Sequence, residues 1–127
     1  MLRNRDKVLY PELCYLLYGF FFKIHGQLGR FRNEKQYGDA LETMLKLNTI
    51  PYEREVELSA SFEGERPRRN VVDFVIDSKI IVEIKAKRLT TRDDYFQTKR
   101  YLVSCDKKLG LLVNFGQQYV SPKRVLN

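Results

Sequence analysis

Residues 71–87, VVDFVIDSKIIVEIKAK, constrain this chain more than any other stretch. Val71, Val72, Phe74, Val75 and Ile76, then Ile80, Ile81, Val82 and Ile84, form two runs rich in β-branched residues and broken by Asp77 and Ser78, the pattern of a hairpin. Both faces of each run are apolar. Strands of this kind belong in a sheet covered on both sides, where a carboxylate or ammonium is costly unless a metal or a counter-charge receives it. Asp73, Glu83 and Lys85 are the exceptions to the apolar pattern.

Glu83 and Lys85 are two apart on one strand, so their side chains leave the same face about 7 Å apart. Asp73 joins them if the hairpin loop holds three residues, Asp77, Ser78 and Lys79, because that register sets Asp73 opposite Glu83; a two-residue turn would separate them. Two converging carboxylates suit a hard divalent cation such as Mg²⁺ or Mn²⁺. A neighbouring lysine can orient or help deprotonate an attacking water, or stabilise developing negative charge. The chemistry implied is hydrolysis of a phosphodiester.

Asp73 followed by Glu83, Ile84 and Lys85 on the next strand resembles the motif of the PD-(D/E)xK nuclease superfamily. Further stretches resemble its small GxxExxY branch: KLGLLVNFG over residues 108–116, and Leu28–Gly29 followed by Glu34, Tyr37, Ala40 and Leu41. Phe31 stands where that motif opens on glycine. Gln97 with Tyr101 looks like the QxxxY signature of RecB-like nucleases. The resemblance implies a restriction-endonuclease-like α/β core, a mixed four-stranded sheet flanked by helices in the order ααβββαβ. It also implies a Mg²⁺-dependent nuclease in which Asp73, Glu83 and the Ile84 carbonyl hold metal and Lys85 serves the attacking water. Glu34 matches the branch's helix glutamate and Gln97 the signature glutamine, so both join the expected site.

A length of 127 residues suits one domain with a real core, expected to span residues 1–127. The formal net charge of +7 favours an anionic partner, and nucleic acid precedes membrane because no long basic amphipathic segment is evident. DNA is the expected nucleic acid. Residues 1–7 are polar and basic, and the apolar run over residues 13–22 contains Tyr and Gly and falls short of a membrane span, so no secretory signal is expected. Cys14 and Cys105 lie in apolar contexts without a CxxC or Cys/His cluster and are expected to be free thiols of a cytoplasmic protein.

Residues 12–25 read as a helix opened by Pro11, with Leu13, Leu16 or Leu17, Phe20, Ile24 and Leu28 along one face. Cys14, Tyr15, Tyr18, Phe21 and Phe22 make the other side apolar too, so it is either a central helix or one that offers a face to a second subunit, as in a homodimer. His25, the only histidine, sits near its end as a capping residue outside the expected catalytic set. Asn33 and Gln36 form a capping box for a second helix running to about Leu47, with Glu34 at the edge of its buried stripe. Residues 51–62 alternate as a half-exposed strand with Tyr52, Arg54, Val56, Leu58, Ala60 and Phe62 on one face. Residues 63–70 form a loop whose Arg66, Arg68 and Arg69 are candidate phosphate contacts. Thr90 and Thr91 ahead of Asp93 and Asp94 open a third helix, to about Ser104, on which Gln97 and Tyr101 share a face. Residues 109–115 form a last buried strand, and the tail can add an edge strand. The alternative to an enzyme is a non-catalytic module that keeps the fold for nucleic-acid binding or protein interaction.

Overall fold

In a computed structural model describing residues 9–127, three helices and five strands follow the apolar periods of the sequence. The polar residues 1–7 lie outside the described residues. Helix α1 (Pro11–Leu28) begins on a proline, whose missing N–H is no loss in the first turn, and buries Cys14, Leu17, Phe20, Phe21 and Ile24. Helix α2 (Glu34–Leu47) starts from Asn33, whose side chain accepts the Gln36 N–H while the Gln36 side chain accepts the Asn33 N–H. Helix α3 (Arg92–Cys105) is opened in the same reciprocal way by Thr91 and Asp94.

The strands β1 (Tyr52–Glu57), β2 (Val71–Ile76), β3 (Ile80–Lys85), β4 (Leu109–Asn114) and β5 (Lys123–Leu126) lie side by side in that order. Only β3 and β4 are parallel, an arrangement that needs a crossover, which α3 provides; the other neighbours are antiparallel. The order ααβββαβ of a restriction-endonuclease-like core is thus present, and the sheet has five strands where four were expected. The fifth forms because the tail pairs antiparallel with β4 and seats Val125 in the core.

Helices α1 and α2 cover one face of the sheet, packing on Phe74, Ile76, Ile80, Val82, Ile84, Leu111 and Val113. Helix α3 covers the other, with Tyr101 and Leu102 against Val72, Val75, Ile81 and Leu112. Since α1 lies on a face and not at the centre, Tyr15 and Phe22 on its far side are exposed. No helix of the described residues is long and apolar enough to cross a membrane.

The hairpin takes the three-residue register. Asp77 and Ser78 are both left-handed, the Lys79 N–H closes the turn on the Ile76 carbonyl, and Ile76 pairs with Ile80. Strand β1 ends at Glu57, short of the expected Phe62. Its partner β2 starts at Val71, opposite Glu57, and the arginine-rich connection gives the chain no ladder to continue on beyond one bond from the Leu58 N–H to the Asn70 carbonyl.

The single-face alternation expected of β1 is also broken. Tyr52 packs with the α1/α2 core and Val56 with the α3 core, and across the ladder Phe74 and Val72 divide in the same way. The pairs on either side of Glu55 and Asp73 keep one register, so no residue is inserted. Both strands twist through the break, with Glu55 in the left-handed region. Asp73 occupies the point where the side chains of β2 change faces.

Candidate active site

The paired part of the β2–β3 ladder stops at Phe74 opposite Val82. One step further, where Asp73 would face Glu83, side chains replace the backbone bonds. The Asp73 N–H donates to Glu83 Oε2 at 2.8 Å, and the Ile84 N–H donates to Asp73 Oδ2 at 2.7 Å. The two acids are therefore held against each other by the strands themselves.

Glu83 is 3% exposed. Burial first, and the Asp73 charge second, push its pKa up to about 8. Asp73 is raised as well, by burial above all and by the Glu34 charge, against the pull of the Ile84 N–H. The second oxygen of each carboxylate makes no hydrogen bond among the described residues, and no described side-chain oxygen is sealed from solvent without a partner. Two adjacent carboxylates with an open oxygen each, and a proton affinity raised chiefly by burial, fit a hard divalent cation. In a strand the N–H and C=O of one residue point to the same side, so the Ile84 carbonyl leaves toward β2 and could serve as a third oxygen donor. Among the described residues no three His, Cys, Asp or Glu side chains are gathered as a metal-holding group.

Lys85 lies on the α3 side of the sheet. Its Nζ is 3.5 Å from Gln97 Oε1 and 4.0 Å from Asp94 Oδ1, so Gln97 enters the site as a partner of the lysine. Asp94 is also bound by Lys87 at 2.7 Å. Burial would raise the Asp94 carboxyl, but the hydrogen bonds from Lys87 and Thr91 outweigh it and hold the group below its ordinary value. Tyr101, one turn beyond Gln97, is buried near the acids and is pushed up by burial, then by Glu83 and Asp73.

On the α2 side a half-open cavity of about 150 Å³ is lined by Glu34, Gly38, Arg54, Asp73 and Ile84. Glu34 faces Asp73 across it from the first turn of α2, on the exposed side of the helix and not at the edge of the buried stripe as expected. Arg54 bridges Asp39 at 2.7 Å and Glu42 at 2.9 Å, with its guanidinium 5.4 Å from the Phe74 ring centre. It ties α2, and hence Glu34, to β1. Gly38 makes room for it: a Cβ there would stand 2.5 Å from Arg54 Nη2.

Asp73, Glu83, Ile84, Lys85 and Gln97 thus converge, with Glu34 facing them. Arg66, Arg68 and Arg69 do not. They are exposed in the connection leading into β2, at the same end of the sheet but outside the cavity lining. His25 also lies apart, its Nε2 2.8 Å from the Gln117 carbonyl. Arg54 and Asp94 were not singled out from the sequence. Arg54 could have been, since it is a cation amid an apolar face, the same contradiction that marks Asp73. Asp94 was hidden by its ordinary capping role.

A family model for the PD-(D/E)XK nuclease superfamily matches residues 11–125. No curated protein matches the sequence significantly.

Proposed function

The chain belongs to the PD-(D/E)XK nuclease superfamily, and on that premise we propose that it hydrolyses phosphodiester bonds of nucleic acid, DNA in the first place, in a Mg²⁺-dependent reaction that Mn²⁺ also supports. The observation that carries this is the pair of buried acids, Asp73 and Glu83, cross-bonded to each other's strand with Lys85 two residues on. Asp73 and Glu83 would hold the ion through their open oxygens, together with the Ile84 carbonyl. When bound, the ion supplies Lewis-acid polarisation of the phosphate and stabilises charge in the transition state.

The chain's own residues do the rest. Lys85 Nζ, positioned by Gln97 and Asp94, orients the attacking water or meets the negative charge that builds on the phosphoryl oxygens. Glu34 adds a carboxylate on the opposite wall, where it can accept a hydrogen bond from that water. The water oxygen forms a new bond to phosphorus and the ester P–O bond breaks, leaving a phosphate monoester and a hydroxyl. Arg66, Arg68 and Arg69 contribute phosphate contacts outside the cleavage site. The free thiols of Cys14 and Cys105 suit a reducing cytoplasm, and the exposed Tyr15 and Phe22 face of α1 is the surface offered to a second copy in a homodimer.

The test is cleavage of single-stranded, duplex and branched DNA and RNA with Mg²⁺, with Mn²⁺ and with chelator. Metal-dependent cleavage abolished by Lys85→Ala, with binding retained, is expected. Binding without cleavage under every condition would replace the enzyme with a binding module.

A further inference from the structure

Beside the acids, and not part of the machinery above, lies an open groove of about 320 Å³. Arg30, Phe31 and Arg32 from the α1–α2 connection form one wall, and Lys87, Arg88 and Gly116 form the other. No carboxylate lines it. Lys87 is neutralised by Asp94, but Arg30, Arg32 and Arg88 make no ion pair with any described residue. The groove adjoins the site on both walls, since Arg32 is two residues before Glu34 and Lys87 two after Lys85.

Phe31 is 87% exposed, with the Arg30 guanidinium 5.0 Å from its ring centre. The loop that carries it is not loose. The Tyr37 hydroxyl donates to the Gly29 carbonyl and accepts the Arg32 N–H, bracketing Phe31. Tyr37 itself is fully buried and stacked on Phe115 at 4.5 Å and 9°. The far wall is pinned by Gln117, which donates to the Arg88 carbonyl. A rigid loop thus holds a bare aromatic face in water among three uncompensated arginines.

We propose that this groove binds a single-stranded segment of nucleic acid next to the bond to be cut, with Phe31 as a stacking platform for an unpaired base and Arg30, Arg32 and Arg88 as phosphate contacts. In a duplex each base face is covered by its neighbours, so an aromatic ring has a stacking partner only where bases are unpaired or the helix ends. The arginines are sequence-blind and salt-sensitive, whereas the ring supplies the preference for unpaired strand. Which bond of that strand is cut rests on the nuclease function proposed above.

Binding is measured by fluorescence anisotropy in chelator, where nothing is cut, using single-stranded DNA, single-stranded RNA and, as a duplex without ends, a covalently closed double-stranded circle. Phe31→Ala should weaken single-strand binding about 5- to 150-fold, the range for losing one base–aromatic stack, while leaving duplex binding and the salt slope unchanged. Phe31→Tyr should retain the affinity and Phe31→Leu should not. Replacing Arg30, Arg32 and Arg88 together by Ala should flatten the log–log salt slope on single strands by about 2, from 0.7 per phosphate contact. Dependence on Phe31 with either DNA or RNA supports the proposal, and the tighter of the two names the substrate.

Equal losses on single strand and duplex, full affinity in Phe31→Leu, or no binding by the wild type would overturn it. Phe31-dependent binding by a protein that cuts nothing in Mg²⁺ or Mn²⁺ would sink the nuclease function and leave the groove intact. Metal-dependent cleavage indifferent to Phe31 would do the opposite.

Discussion

Glu83→Gln should make the metal-free protein more stable at alkaline pH while abolishing its chemistry. The wild-type carboxyl titrates near 4.5 in the unfolded chain and at about 8 in the fold, chiefly because it is buried. Between those values the native state holds a proton that the unfolded state has released, so the stability contributed by this group is complete below 4.5 and declines as pH rises toward 8. At about 1.4 kcal/mol per unit the ceiling on that decline is about 5 kcal/mol, and water entering the site should reduce it to roughly half. Glutamine has the size of the protonated acid and its amide oxygen can still accept the Asp73 N–H, so the variant keeps the strand contact without the titration. Urea unfolding in chelator, followed by circular dichroism from acid to alkaline pH, should show the two proteins alike near pH 4.5 and the variant ahead by about 2–5 kcal/mol above pH 8. Added Mg²⁺ should stabilise the wild type and not the variant. A wild-type stability that is flat or rising from pH 5 to 8 without metal, or a variant less stable at the alkaline end, would refute the reasoning.

Asp73→Ala and Glu83→Ala should each remove the weak Mg²⁺ or Mn²⁺ binding measured by calorimetry; unchanged heats would place any metal elsewhere. Asp94→Asn should lower kcat more than it raises KM and shift the pH–rate profile, since it loosens Lys85 without touching substrate; a loss confined to KM would assign Asp94 another role. Gly116→Ala should destabilise the fold by several kcal/mol in thermal unfolding, because its Cβ would stand 2.3 Å from the Lys87 backbone nitrogen and backbone cannot swing aside. A melting temperature within a degree or two of wild type would contradict that crossing.

The hairpin and its acids were legible because two contradictions coincide there: charges in apolar runs, and three turn residues that fix which charges meet. Helix starts were legible where Asn33 with Gln36, and Thr91 with Asp94, spell out reciprocal caps. The end of β1 was not, since residues 58–62 go on alternating after their partner strand has stopped, and alternation reports on a side chain's neighbours only while a ladder exists. Nor was the change of face at Glu55 and Asp73, which depends on twist shared by two strands distant in sequence. Arg54 and Asp94 act through residues 12 to 15 and 7 to 9 positions away, respectively, so their partners appear only once the chain is folded.

Asp73, Glu83 and Lys85 all lie on one antiparallel hairpin closed by a tight turn, while the parallel β3–β4 pair must wait for the whole α3 crossover. Hairpins of low sequence separation close in microseconds, whereas pairing across a long connection pays a larger loop entropy first. The contacts between Asp73 and Glu83 are therefore local to the hairpin, whereas Lys85 gains Gln97 and Asp94 as partners only once α3 has docked. Truncation or circular permutation in the α3–β4 connection should slow folding and lower stability, yet each molecule that does fold carries its acids and lysine in the same mutual geometry.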